Sequence, residues 1–561
     1  MRFLQVATKI LYPHEWFSVL FNHHNDMFMK VLVGDSFDNI PKFWHEVEEM
    51  PAYKTHSVRS QEGHRAKVVP LALHGDGVPV VGVAKAGSQS ANIWSVTSLL
   101  TYGPTNFFYH MIYMMWKDSA ETETHERVWL ALGWSFYWLQ RGVWPRCDMD
   151  RRPYHPDSPE GRKAGTPLAG GYGACLLLLL GDLDYVAADL RLEHYGSRTP
   201  CCVCQANKST IPWTHCHPRD AAWWPTVWQS VDAWRASHPN ACKIFEILSI
   251  SAMNYFPDLM HVKHLGSDHY VYASVISLLV HEIMPGQAAA NWSELWTCIR
   301  AHASQAVAAA VFARLPRVCC HMVPQSYITW RCHIDGNDTL RPATLSYDTI
   351  GPFCHKACPP NKKYHGTQAD RGRLPNRVTL NMWMNAGGPF PMLKTKAAET
   401  KHLARPLLAA WMDYCDSDDA VHRAVTRALE MSVEIERIVD ENHDQVKYPI
   451  GLATQFLEAC AEYCQSVTFL GNHFHPLPDE RGRLFNYTIK FHMLLHIAWN
   501  SRHLNPSRGW CYQGESVLQL GKRVIASSTR GTPLHLVCSK ALQKYIRGLS
   551  FRCSTGLLAP P

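Results

Sequence analysis

Charge is scarce in this sequence. Asp, Glu, Lys and Arg make up 18% of its 561 residues, against roughly a quarter in an average soluble protein. Hydrophobic residues reach 46%, and a chain this apolar excludes wholesale disorder. No run approaches the roughly 18 apolar residues of a membrane span. The opening MRFLQVATKILYPHEWFSVLF is broken by Lys9, His14 and Glu15 before a signal-peptide core can form. Internal repeats and low-complexity tracts are absent. Residues 1–65 hold neither a zinc-finger spacing nor a basic run that would mark a DNA-binding module, and their role is not readable. Complete disulfide pairing is excluded because the 19 cysteines are odd in number. Their mixing with histidine suits zinc chemistry in a reducing compartment, so an intracellular, soluble protein is expected.

What is present is unusual in side chain rather than in charge: 32 His, 20 Trp and 19 Cys. The excess of 55 Lys and Arg over 48 Asp and Glu gives a net charge of +7, which permits a nucleic-acid partner without demanding one. The length suggests three or four domains, or one core interrupted by a large insertion. Val68, Val69, Leu71 and Leu73 form an apolar, partly β-branched run that His-Gly-Asp-Gly is expected to end, placing Asp76 at a strand terminus. Residues 121–141 read as an amphipathic helix, followed by a Pro/Gly-rich loop. Ala174 to Leu180 is unbroken apolar sequence, suited to a strand covered on both faces, and it ends in Gly181-Asp182. From about 220 to 480 the pattern is mainly helical, as in AHASQAVAAAVFARL and DAVHRAVTRALEMSVEIERIVDEN. A helix with His492 and His496 follows, then a short helix headed by Glu515. The expected division is an N-terminal segment to residue 65, a core at 66–219, a helical insertion at 220–480, a return to the core at 481–530, and a C-terminal helix and tail at 531–561.

Asp76, Asp182 and Glu515 are the candidate acids. Carboxylates at sheet ends can converge on a pair of Mg²⁺ or Mn²⁺ ions about 3.5–4 Å apart, one activating water or a 3′-hydroxyl and the other stabilising the leaving oxygen. Each acid alone fits a plainer role: Asp76 and Asp182 as turn residues, Glu515 as the complement of a helix N-terminus. A second constellation joins the CxxC of Cys201 and Cys204 to the HxxxH of His492 and His496. Four helical residues turn through about 400°, so both imidazoles leave nearly the same face. Two thiolates and two imidazoles make a tetrahedral Zn²⁺ site, which would close the insertion at its base. Buried free cysteines and surface histidines are the alternative.

The segment FPDLMHVKHLGSDHY crowds Asp258, His261, His264, Asp268 and His269 together. It reads equally as a phosphate or metal contact and as the polar face of an amphipathic helix. Cys319, Cys320, His321, Cys332, His333, Cys354, His355 and Cys358 are candidates for a second zinc site of irregular spacing. Trp94, Trp213, Trp223 and Trp224 are candidates for stacking on unpaired bases or for core packing.

Taken in order, HGDGVPV with SQSANIWSVTSLL, LLLLLGDLDYVAADL with PCCVC, FPDLMH, and IKFHMLLH with GWCYQGES resemble the transposase of CACTA-type (En/Spm-like, CMC superfamily) DNA transposons. The resemblance spans roughly residues 66–530 and is carried by these islands. The catalytic subunit of the V(D)J recombinase is similar in layout, more distantly. The resemblance implies an α/β, RNase H-like core with a large, mainly helical insertion between the second Asp and the Glu. Asp76, Asp182 and Glu515 would be a metal-binding DDE triad, Cys201, Cys204, His492 and His496 would hold structural zinc, and His261 would steady phosphate. It further implies double-stranded DNA as partner, action as a homo-oligomer, and a nuclear location. No recognisable end-binding domain precedes Asp76, as expected of a truncated or decayed copy. Two rivals follow: a catalytically silent, transposase-derived zinc protein that binds DNA or a protein partner, and an RNase H-like nuclease acting on RNA or hybrid duplexes.

Overall fold

The computed structural model describes residues 9–81, 88–101, 108–117, 122–217, 220–314, 384–385, 390–475 and 483–555. The Cys/His cluster at 319–358 lies outside these residues.

At the centre is a mixed four-stranded sheet in the order β3-β2-β1-β4. Its strands are β1 (Val68–Val81), β2 (Ser88–Ser98), β3 (His110–Trp116) and β4 (Gly173–Leu180). β1 runs antiparallel to β2 with Leu71 opposite Ser98 and Asp76 opposite Ile93, and β2 runs antiparallel to β3. β4 lies parallel to β1, from Val68 opposite Gly173 to His74 opposite Leu180. Every residue of β4 is buried, as its leucine run requires; each fully covered Leu contributes about 1.5–3 kcal/mol. Beyond β4, Tyr255 makes a single parallel bridge to Leu179, and the Phe256 amide donates to the Leu179 carbonyl at 3.1 Å.

β1 does not end at His-Gly-Asp-Gly, as the sequence suggested. It continues past Asp76 because β2 pairs with it well beyond the point where β4 stops at His74. The glycines serve packing instead of a turn: a Cβ on Gly75 would stand 2.0 Å from the Tyr185 ring, and one on Gly181 would stand 2.3 Å from it. Tyr185 thus fills the space between the middle of β1 and the end of β4.

Twelve helices are labelled in chain order. The first, α1 (Pro13–His23) and α2 (Asn39–Glu46), belong to the N-terminal residues and pack into the same core. The Trp44 indole donates to the Val68 carbonyl at 2.8 Å, and His14 bonds Ser135 of the next helix. That helix, α3 (Thr122–Arg141), covers one face of the sheet through Trp129, Leu132, Phe136 and Leu139, all buried. α4 (Leu183–Ala188) follows β4 directly.

The segment between the second Asp and the Glu is mainly helical among the described residues. It holds a π-helical stretch, Met260–Ser267, running into α5 (Asp268–Leu278), then α6 (Ala288–Arg314), α7 (Ala397–Met412), α8 (Ala420–Glu441) and α9 (Ile450–Phe474). Asp419 caps α8 by accepting from the Val421 and His422 amides. Strands of two residues at Met384–Asn385 and Met392–Leu393 pair beside them. The chain then returns through α10 (Ile489–Asn500), α11 (Tyr512–Ala526) and α12 (Leu534–Thr555). Among the described residues no helix is long and apolar enough to cross a membrane.

Candidate functional site

Four separate pieces of chain meet where β4 ends beside the middle of β1. Asp76 projects from β1, where its Oδ1 accepts the Gly77 amide at 2.6 Å. Asp182 is the N-cap of α4, and its Oδ1 accepts the Tyr185 amide at 2.7 Å. Glu515 sits in the first turn of α11, which begins at Tyr512 rather than at Glu515 itself. His261 opens the π-helical stretch, with its Nε2 3.7 Å from Glu515 Oε1. Ligand-capable atoms of Asp76, His261 and Glu515 all lie within 4.8 Å of one another. Asp182 is not part of this group, although after burial its negative charge is the largest influence raising the Asp76 pKa.

The charges at the site are out of balance. Burial first, then the Asp182 charge, push the Asp76 carboxyl up to about 8. Burial also raises Glu515. Carboxylates that repel one another in a sheltered cleft take up either protons or a cation. The carboxylate oxygens of Asp76 and Glu515, which lie within 4.8 Å of each other, are the donor type that suits Mg²⁺ or Mn²⁺, so these two residues fit the divalent ions that the resemblance implies.

His261 is the positive element. Asp258, with a side chain 0% exposed, accepts from His261 Nδ1 at 2.6 Å, from the His261 and Met260 amides at 3.1 and 3.0 Å, and from the Cys511 amide at 2.8 Å. Burial opposes charging of His261, but the Asp258 hydrogen bond and charge outweigh it and lift the imidazole to about 9. Asp258 itself resists the upward pull of burial through those same contacts and stays below the usual carboxylate range. One carboxylate therefore fixes the His261 ring, keeps it cationic, and ties its backbone to the residue four positions before Glu515.

The cleft opens into a cavity of about 320 Å³ whose walls include Asp182, Tyr195, Tyr255, His261, Tyr270 and Lys490. Lys490 comes from α10, two residues before His492. Beneath the cleft is a buried ionic network. Lys263 Nζ reaches Asp268 Oδ2 at 2.8 Å and Glu436 Oε1 at 2.6 Å. His264 Nε2 meets the same Glu436 oxygen at 2.8 Å, and His264 Nδ1 shares a hydrogen bond with the Tyr512 hydroxyl at 2.7 Å. The network links α8 of the insertion to the first residue of the helix that carries Glu515.

Cys201, Cys204, His492 and His496 come together as a second group, all buried and all within 4.8 Å of one another. Cys201 Sγ is 3.5 Å from His496 Nε2, Cys204 Sγ is 3.3 Å from His492 Nε2, and the two Nε2 atoms are 3.1 Å apart. Tetrahedral zinc, with bonds of about 2.3 Å to sulfur and 2.05 Å to nitrogen, requires S···N edges of about 3.6 Å and an N···N edge of about 3.3 Å. These three edges come within about 0.3 Å of those values. His492 Nδ1 faces the Trp213 carbonyl at 3.2 Å, the partner that leaves Nε2 free for a metal. The register is the Cys201–Cys204 one; Cys202 is not in the group. The described cysteines are all free thiols.

The tryptophans are packing residues. Trp94 and Trp223 are fully buried, and Trp223 lies against the His492 and His496 rings, with centroids 4.3 and 4.8 Å away. Trp213 stacks on Tyr487 and Trp224 packs on Trp499. Nor is FPDLMHVKHLGSDHY an exposed polar face: Asp258, Lys263, His264, Asp268 and His269 are all buried, with α7, α8 and α9 closing over this segment through Thr400, Glu436 and Tyr463. Elsewhere, Cys298, His302 and Asp413 cluster at a half-exposed junction of α6 and α7, where both the thiol and the imidazole bond Asp413 Oδ2.

Sequence reasoning gave Asp258 a phosphate or metal contact or a place on a polar helix face, not the positioning of His261, and passed over Lys490 and Glu436. Asp258 had a readable signal, since an Asp three residues before a His on a helical turn can reach its Nδ1. The other two had none. Comparison of the chain with protein-family models and with curated proteins finds no match.

Proposed function

We propose that the chain is a divalent-metal-dependent DNA strand-cleaving and strand-transferring enzyme of the DDE transposase type, built on an RNase H-like core and acting in the nucleus on double-stranded DNA as a homo-oligomer. The observation that carries this reading is the meeting of Asp76, Glu515 and His261, with Asp182 beside them, from segments far apart in sequence. The sheet, with β1 and β4 parallel and Asp76 and Asp182 each two residues beyond their last paired position, His74 opposite Leu180, supports it. In this reading Asp76, Asp182 and Glu515 hold Mg²⁺ or Mn²⁺, which supplies charge neutralisation at the attacking and leaving oxygens of an in-line displacement.

The chain's own groups do the positioning. His261, held by Asp258, points a charged N–H into the cleft, where it donates to a non-bridging phosphate oxygen. Lys490 sets a sheltered cation on the wall beside Asp182. The Asp258 bond to the Cys511 amide fixes the start of α11 and with it the Glu515 carboxylate. Cys201, Cys204, His492 and His496 hold structural Zn²⁺ and secure α10, the helix that supplies Lys490.

The test is nicking of a supercoiled plasmid in Mn²⁺ or Mg²⁺. The expected result is metal-dependent nicking that Glu515→Gln abolishes while leaving the unfolding profile unchanged. A Glu515→Gln protein that nicks at the parental rate overturns the assignment. A zinc-containing protein that binds DNA and never nicks it establishes instead the catalytically silent relative.

A further inference from the structure

All 48 acidic residues lie at or before Glu515, and of the 55 basic residues Lys522, Arg523, Arg530, Lys540, Lys544, Arg547 and Arg552 follow it. The preceding chain is therefore balanced at 48 against 48. The whole net charge of +7 resides in the last 46 residues, and all seven of these cations lie within the helical hairpin of α11 and α12 and its connection.

The hairpin has one anchored side. Gly521 brings α11 onto the sheet, since a Cβ there would stand 2.4 Å from Ile93 Cδ1. The Met111 amide donates to the Tyr545 hydroxyl at 3.3 Å, and the Trp116 indole donates to the Leu534 carbonyl at 2.8 Å, fixing α12 against β3. The outer side carries the charge: Arg523, Arg530, Lys544 and Arg547 are exposed. Lys540 and Lys544 reach only neutral oxygens, of Thr532 and Ser527 respectively. None of the four exposed cations has a carboxylate partner among the described residues. Lys522 and Arg523 stand seven and eight residues beyond Glu515 on the same helix, which is about 10–12 Å at 1.5 Å per residue, or about three base pairs at 3.4 Å each.

We propose that the outer face of the α11–α12 hairpin binds the phosphate backbone of duplex DNA about three base pairs from the scissile position, independently of sequence. The proposal rests on the DNA-cleaving reading of the Glu515 cleft and adds to it where the flanking duplex lies. Double-stranded DNA is favoured as occupant because the cations continue directly from the acid cleft and no acid interrupts them.

The experiment measures binding of a labelled 30-base-pair duplex of arbitrary sequence to the full chain over a range of salt concentrations. Each phosphate contact contributes about 0.9 to the slope of log K against log salt. The variant R523Q/R530Q/K544Q/R547Q is expected to lose about 3–4 from that slope and to raise the KM for plasmid nicking with kcat unchanged. K401Q/R427Q/R437Q, whose charges pair with Asp440, Glu462 and Glu434, is expected to leave the slope as it is. A parental protein that binds and nicks DNA with a slope insensitive to the four hairpin changes overturns the hairpin site and leaves the cleft reading standing. A parental protein that shows no salt-dependent DNA binding overturns both. Displacement of the duplex by polyglutamate at equal charge overturns the assignment in favour of an acidic protein partner.

Discussion

Replacing Cys204 with serine removes one of four buried donors that bridge distant parts of the chain. Cys204 and His492 are 288 positions apart. For a loop of that length, the chain-entropy relation for a cross-link gives about 19 cal/mol/K, or about 5–6 kcal/mol at room temperature. That is comparable with the whole stability of a typical domain, about 5–15 kcal/mol. A structural zinc site supplies about 10–16 kcal/mol of apparent binding free energy at neutral pH, ample to hold such a loop closed. The purified chain is therefore expected to carry one zinc per molecule at this site by elemental analysis. A strong chelator is expected to lower its denaturant midpoint sharply, and Cys204→Ser to lose the zinc and shift the midpoint in the same direction. Because α10 also carries Lys490 into the cleft, nicking falls together with zinc. A zinc-free protein that unfolds at the same denaturant concentration with and without chelator, and is matched by Cys204→Ser, refutes the reasoning.

Asp258→Asn keeps an oxygen for the Cys511 amide but sets an NH₂ group against His261 Nδ1. It is expected to destabilise by about 1–3 kcal/mol and to bring the imidazole pKa, followed by NMR, down from about 9; an unmoved titration contradicts the assigned bond. Lys263→Met removes the ammonium that bridges Asp268 and Glu436 and is expected to cost about 3–5 kcal/mol. A cost below about 0.5 kcal/mol in urea unfolding would show the network to be dispensable. Burial opposes ionisation of Glu436, but His264 and then Lys263 outweigh it and hold the carboxyl well below its ordinary value. Its contribution to stability is therefore complete above about pH 4.5, the unfolded value, and is lost as pH falls further toward the folded one. Glu436→Gln is expected to flatten the acid limb of the stability profile, and an unchanged limb counts against the pairing. Gly75→Ala forces a methyl into the Tyr185 ring and is expected to cost at least about 1–3 kcal/mol, whereas Gly63→Ala meets no atom within 4 Å, its cost coming from a φ of +71° alone.

Where the chain wears its structure openly, the reason is a local pattern. The leucine run of β4, the period of α8 with its Asp419 cap, and the i, i+4 spacing of His492 and His496 each specify an element without outside help. The four zinc-type donors were legible because ligand chemistry restricts residue type and spacing together. The course of β1 through Gly75 was not, since that glycine answers to the Tyr185 ring of α4. The burial of Lys263, Asp268 and Glu436 was equally hidden: a charged residue on a helical pattern reads as solvated until another helix covers it. Asp76, Asp182 and Glu515 could be named individually, yet their meeting depends on how β1, α4 and α11 pack.

Calorimetric titration of Mn²⁺ into the zinc-replete protein tests the central claim most directly, because it needs no knowledge of a DNA sequence. The account requires saturable binding at the cleft that releases protons at neutral pH, as the raised Asp76 carboxyl demands, and that disappears in Asp76→Asn and in Glu515→Gln alike. Mn²⁺ binding that is absent from the parental protein, or unchanged in both variants, would contradict it.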